Sequence, residues 1–265
     1  MKRLFRYGMN LIPRPILINI SYIIRPVLVW LLKGNRYYDP IDGQGYYKML
    51  PYGYEKQREN VLAPNTFSLE RHRLMWLYLT NKTNFFQAKQ KVLHIAPEQA
   101  FYKRFRAMQN LDYITSDIES PLADVKADIC DLPFGENTFD VIFCNHVLEH
   151  IMDDHQAMSE LFRVMKPGGW GIFQVPISYQ RELTYEDSSV TSKEERKEKF
   201  GQYDHVRIYG LDYYQRLEDA GFIVHKVDYT KEIPTEEINR YRLEKGEILP
   251  VVEKPCLLYT SPSPR

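Results

Sequence analysis

The stretch VKADICDLPFGENTFDVIFCNHVLEH, residues 125–150, followed by ELFRVMKPGG, residues 160–169, decides the fold. Phe139–Asn145 is almost continuously apolar, which predicts a strand covered on both faces. An amphipathic stretch runs on to about Met165, and Lys166-Pro-Gly-Gly169 turns the chain into another apolar run, Gly169–Val175. The same alternation extends outward in both directions. Lys91–Ala96, Asp112–Ser116 and Val125–Ile129 read as strands, with Gln99–Met108 as a helix, Leu211–Ala220 as a second helix and Phe222–Tyr229 as a further strand. Continuous apolar strands separated by helices specify an α/β fold: a Rossmann-like, doubly wound, mostly parallel sheet with helices on both faces.

The whole chain has 265 residues, with 35 Lys+Arg against 35 Asp+Glu and 44% hydrophobic residues, which excludes disorder, collagen and coiled coil. The three cysteines are widely spaced and odd in number, as in a reducing compartment, so a cytoplasmic location is expected. Residues 1–38 form a basic, apolar helical arm with seven Lys or Arg and no acid. Pro13, Arg14, Pro15, Arg25 and Pro26 interrupt it, which argues against a membrane span. Two roles stay open for the arm: docking on the body of the protein, or peripheral contact with an anionic membrane surface. Residues 39–67 are rich in turn formers, and Ser68 caps a helix that ends near Lys82. Residues 178–208 form a long polar insertion with ten charges between Arg181 and Glu198, read either as a lid over the carboxyl edge of the sheet or as a solvated excursion. The last ten residues, 256–265, resemble translated sequencing adapter and are expected to be a non-native tail.

In an open parallel sheet, ligands bind beyond the carboxyl ends of the strands where the strand order reverses. Asp117, at the end of the second strand and about 20 residues after the first turn, suits the two hydroxyls of a ribose. Asp128 suits an adenine amino group, with Ile129 and Leu132 against the ring. A nucleoside-containing ligand is therefore expected.

With these residues in place, the segment from Val125 to Gly169 resembles the class I S-adenosylmethionine-dependent methyltransferases of the broad "type 11" kind, and the resemblance extends over about residues 68–229. It implies a seven-stranded sheet over a domain of residues 68–255 and S-adenosyl-L-methionine as cofactor. It further implies methyl transfer to a small-molecule or membrane-associated acceptor. The implied cofactor-binding residues are His94, Ala96, Pro97, Glu98, Asp117, Ile118, Asp128, Ile129, Asn145 and His146. One departure stands in the first loop, which is glycine-rich in the family and His94-Ile-Ala-Pro-Glu-Gln-Ala100 here. Ala96 still permits close approach, Pro97 fixes the loop, and Glu98 faces the cationic part of the cofactor. This loop, with Glu186-Asp187 and the run from Phe200 to Gly210, is similar to a bacterial subgroup that carries a cysteine knuckle before the first helix. The knuckle positions here are Asp39, Asp42, Ala63 and Thr66, which lack the thiolates or imidazoles that zinc requires. No structural zinc is expected, and packing of Tyr46, Tyr47, Leu50 and Tyr52 is expected to replace it.

Methyl transfer is an in-line displacement that depends on positioning, with a base needed only when the acceptor must lose a proton. His150, Asp187 and His205 are the catalytic candidates, with Asp204 beside them; an ion pair to Arg207 is the competing role. His146-Val-Leu-Glu-His150 also matches the H-x-x-E-H pattern of zinc peptidases. His146 directly follows a strand, however, so no metal is expected, and Glu149 reads as an exposed acid at a helix start. A nucleic acid partner is not supported by the neutral charge. Two alternatives remain: a catalytically silent methyltransferase-like scaffold, and a nucleotide-dependent oxidoreductase, against which the missing G-x-G-x-x-G argues.

Overall fold

The computed structural model describes residues 24–53 and 57–256. Residues 1–23 of the basic arm and residues 257–265 of the expected tail lie outside them. The chain divides into two compact units, residues 1–83 with 229–247, and residues 84–228 with 248–265. This differs from the expected single domain over 68–255: the helix after Ser68 and the segment 229–247 belong to the first unit.

In the first unit, residues 24–32 are helical. Lys33–Asp39 pairs with Gln44–Tyr46, and Leu50–Tyr52 pairs with Arg58–Leu62, both antiparallel. Helix α1 (Glu70–Lys82) follows. The knuckle positions are joined by hydrogen bonds. The Asp39 carboxylate accepts from the hydroxyls of Thr66 and Ser68 and from the Ile41 amide, while Asp42 accepts from Asn65 and Tyr46. Of the aromatic residues expected to hold the knuckle, Tyr46 is fully buried in a cluster with Tyr37, Met49 and Ala63, but Tyr47 is 52% exposed, so the expectation is corrected for Tyr47, and a carboxylate network joins the packing. Burial raises the affinity of Asp39 for its proton, with Asp42 adding to it, and Arg73 opposes this.

Arg73, on α1, has no exposed surface, and burial lowers its pKa to about 10. Its guanidinium donates to the carbonyls of Ser68, Val61, Tyr241 and Arg242, which ties α1 to the strand Arg58–Leu62, to the loop before the helix and to the short helix Thr235–Tyr241.

The second unit holds the seven-stranded sheet: β1 (Gln90–Ile95), β2 (Leu111–Asp117), β3 (Val125–Lys126), β4 (Phe139–Cys144), β5 (Met165–Ile172), β6 (Ile223–Val227) and β7 (Leu249–Glu253). Its spatial order is β3-β2-β1-β4-β5-β7-β6. The first five are parallel, and β7 runs antiparallel between β5 and β6. The last four residues of β1 and five of the six in β4 are buried, as central strands covered by helices must be. Asp140 is the polar exception in β4; it accepts from the Lys91 amide and pairs with Lys166. Gly171 is required in β5, because a Cβ there would sit 2.3 Å from the carbonyl oxygen of Ile142 on β4.

Three sequence expectations change here. Helix α2 (Gln99–Ala107) matches its expected span, but the strand expected at Val125–Ile129 is only two residues long. The amphipathic stretch after Asn145 is broken into one 3-10 turn, Leu148–His150, and helix α3 (Asp154–Val164), capped by the Asp153 side chain on the Gln156 amide. The insertion is structured as well, with Tyr185–Glu186 pairing Arg207–Ile208 around helix α4 (Lys193–Phe200). Helix α5 (Tyr213–Asp219) leads back to the sheet.

Arg73→Met leaves four carbonyl contacts and a buried carboxylate network without their cation. We expect a loss of at least about 3 kcal/mol of stability, read from the denaturant midpoint. A change within about 0.5 kcal/mol would mean that the network is not what holds the first unit together.

Candidate active site

The parallel pairing of β1 with β4, with Val92 opposite Val141 and Ile95 opposite Cys144, brings two strand-ending loops side by side. On one, Ala96 adopts φ +48°, a left-handed conformation that costs an L-residue about 1–2 kcal/mol. Its amide donates to the Ser116 carbonyl and so ties the loop to the end of β2. The conformation explains how alanine stands where glycine is usual: the backbone keeps the glycine-like turn, and the methyl group is small enough to accept it.

His94 is corrected from a cofactor-contacting residue to a supporting one. Its side chain is fully buried among Phe101, Phe105, Tyr113 and Phe143, out of reach of any ligand. Its Nδ1 lies 2.8 Å from the Tyr113 hydroxyl and its Nε2 3.3 Å from Glu98 Oε2. A carboxylate only accepts, so Nε2 carries the proton toward Glu98 and Nδ1 accepts from Tyr113. Asn145 Nδ2 donates to the same Glu98 oxygen at 3.3 Å, while Asn145 Oδ1 accepts from the Gln174 amide. Two strand ends thus hold one carboxylate between them.

A cleft at the carboxyl ends of β1, β2 and β3 is lined by five of the expected residues, Ala96, Asp117, Ile118, Asp128 and Ile129. Sequence reasoning missed Ile95, Ser116, Ala127, Val147 and Ile151, which line it too; nothing in their types separates them from ordinary core residues. Pro97, Glu98, Asn145 and His146 are not part of that lining. Asp117 Oδ1 accepts from the amides of Glu119 and Ser120 at 2.8 and 2.7 Å, which fixes the carboxylate at the cleft. Asp128 Oδ1 likewise takes the Cys130 amide at 2.9 Å. Ile118 is 65% exposed while Ile129 is buried, so an apolar side chain stands free at the mouth of an apolar cleft.

Beyond Asn145, His146 is also left-handed, at φ +54°, and its Nδ1 lies 3.3 Å from Glu149 Oε1. Glu149 is buried, not the exposed helix-start acid expected from the sequence. Burial raises its proton affinity, but the hydrogen bond from His146 and the fields of His146 and His150 more than offset this and hold the carboxyl below its ordinary range. The Val206 amide donates to the Glu149 carbonyl and brings the end of the insertion against this turn. His150 and His205 then meet edge to face with centroids 4.8 Å apart, and His150 Nδ1 lies 3.1 Å from the Asp204 carbonyl oxygen. Burial lowers the pKa of His205.

Asp187 does not join this pair. Its carboxylate is turned to Ser189 and Lys199 and lines a separate depression with Glu186 and Asp154. Its neighbour Glu186, rather than Asp187, pairs with Arg207. Arg207 is the residue whose importance the sequence did not show. Almost fully buried, it donates to the carbonyls of Leu148, Ile151 and Met152, which satisfies the acceptors that the broken helix leaves open.

Ala96→Gly removes the left-handed strain while adding backbone freedom to the unfolded chain. We expect stability to rise by up to about 1 kcal/mol, measured by chemical denaturation, whereas a loss above that size would show that the methyl group is a packing element.

Residues 87–173 match the methyltransferase domain family. The ubiquinone/menaquinone biosynthesis C-methyltransferase UbiE of Idiomarina loihiensis is 38% identical over 65 residues, 23% of this chain and 26% of the relative. The demethylmenaquinone methyltransferase of Clavibacter sepedonicus is 40% identical over 45 residues, 17% of this chain and 18% of the relative. The chain thus spans about a quarter or less of the length of these curated relatives. A solved S-adenosylmethionine-dependent methyltransferase from Mesorhizobium loti aligns with a TM-score of 0.44 at 13% identity, over 63% of this chain and 92% of that one. Over residues 87–173, about a third of its length, the chain is thus similar to methyltransferase domains.

Proposed function

We propose that the protein binds S-adenosyl-L-methionine in the cleft at the ends of β1 to β3 and methylates a small acceptor, either free or presented at a membrane surface. The observation that carries this is the composition of the cleft wall, with two fixed carboxylates, Asp117 and Asp128, among mostly apolar side chains. When bound, S-adenosylmethionine supplies an electrophilic methyl carbon on a sulfonium. Asp117 accepts the ribose hydroxyls, Ile118 and Ile129 enclose the adenine, and Asp128 accepts from its amino group. Ala96 lets the backbone come close, and Glu98, held by His94 and Asn145, offers negative charge to the cofactor's ammonium. His150 and His205 stand on the acceptor side and favour the deprotonated form of an acceptor that must lose a proton.

Titration calorimetry with S-adenosylmethionine and S-adenosylhomocysteine tests the reading. Wild type is expected to bind at micromolar levels, about −8 kcal/mol, and Asp117→Ala to lose about 1.5–3 kcal/mol, the range for a charged hydrogen bond. Absence of binding by folded wild type would sink this reading and put the silent scaffold in its place.

Among the described residues no helix is long and apolar enough to cross a membrane. Helical residues 24–32 nonetheless expose Val27, Trp30 and Leu31 next to a basic segment, which supports peripheral contact of a cytoplasmic protein with anionic lipid. Sedimentation with phosphatidylglycerol vesicles is expected to carry the protein down in low salt and less in high salt. Equal behaviour with phosphatidylcholine vesicles would refute the contact.

A further inference from the structure

The turn after β4 contains a buried group that cofactor binding does not use. Glu149 is 2% exposed, and while one of its carboxylate oxygens faces His146, the other accepts no hydrogen bond among the described residues. A buried charged oxygen left without a donor is costly, and its persistence points to something that fills the place. Two imidazoles face it. A carbonyl oxygen only accepts, so His150 Nδ1 carries the proton toward Asp204, and the lone pair of His150 is therefore on Nε2. His205 is 6% exposed, and one ligand atom each from Glu149, His150 and His205 lie within 4.8 Å of one another.

We propose that Glu149, His150 and His205 form a binding site for a divalent transition-metal cation of the zinc, manganese or iron kind. This departs from the absence of metal expected from the sequence. Two imidazoles and one carboxylate are a donor set that holds such ions while leaving coordination positions open. The supporting contacts are those that metal ligands commonly make: a backbone carbonyl orients His150, and a second histidine, His146, orients Glu149. Bonds of about 2.0–2.2 Å place ligand atoms roughly 3–3.5 Å apart. Binding therefore draws the three side chains together by an ångström or more. The insertion is part of the site, since His205 arrives on it through the Val206 amide and the Arg207 clamp.

The site deepens the methyltransferase reading and rests on it for one point only, the class of acceptor. Glu149 and His150 lie in the chain between Val147 and Ile151, which line the cofactor cleft, and a cation held there selects an oxygen nucleophile such as a hydroxyl or phenol and lowers the cost of removing its proton. In the transfer, the acceptor oxygen forms the bond to the methyl carbon. The carbon–sulfur bond breaks with its electron pair going to sulfur, and the hydroxyl proton passes to solvent, because with the cation bound the lone pairs of His150 and His205 are taken by the metal and the cation replaces them as the group that favours the deprotonated acceptor.

The test is titration of the full chain, stripped with a chelator, with Mn2+ and Zn2+ in the absence of S-adenosylmethionine. One equivalent of metal is expected to bind to wild type, and Glu149→Gln and His205→Ala to weaken binding at least tenfold. His225→Ala, at an exposed histidine on β6, is the control for surface binding and is expected to change nothing. No stoichiometric binding by wild type, or equal binding by His205→Ala, overturns the site. Should Glu149→Gln fail to fold, the rise in the melting temperature of wild type with Mn2+, lost in His205→Ala, gives the same answer. Cofactor binding is measured separately, so metal uptake without it would overturn the methyl-transfer reading and leave the cation site standing.

Discussion

The parallel pairing of β1 and β4 is the constraint on which the rest depends. Because both strands are buried on both faces, their register is fixed by packing, and a slip would expose apolar side chains. That register places Ile95 opposite Cys144 and so aligns the loops that follow. One loop carries Ala96 and Glu98, the other Asn145 and His146. The hydrogen bond from Asn145 to Glu98 is a consequence of strand pairing and needs no element of its own.

A second device holds the turn after β4. The chain after β4 does not run directly into a long helix, and the carbonyls of Leu148, Ile151 and Met152 take donors from the insertion, that of Leu148 also accepting from the Ile151 amide and the Tyr209 hydroxyl. The Arg207 guanidinium, reaching across from the insertion, takes all three and pairs with Glu186. Its other ion pair, with Asp154 at 3.5 Å, is buried on both sides; such pairs are weak evidence for stability but define geometry well. Here the geometry is that of His150 against His205, two residues 55 positions apart that meet only because Arg207 and the Val206 amide fix the end of the insertion.

The sheet was legible in the sequence wherever strands are continuous and apolar, as in β1 and β4. β7 was not, because Leu249–Glu253 contains a proline and lies after a segment that folds with the first unit. The cleft was legible at Asp117, Asp128 and Ala96, whose places at strand ends follow from chain order. It was not legible at Val147 and Ile151, whose types are those of any core residue. His94 was misread because a histidine next to a ligand loop looks like a ligand until its burial is known.

The sequence by itself determined the alternation of strands and helices, the carboxyl-edge location of the cleft and the acidic residue at the end of β2. These depend on local pattern and on the order of elements along the chain, and both are written in one dimension. Only the tertiary structure decided that His94 supports Glu98 from behind, that Asp187 turns away to Lys199, and that Glu149, His150 and His205 converge. Those outcomes depend on which side chains become buried together across long separations in sequence, and burial is a property of the folded chain.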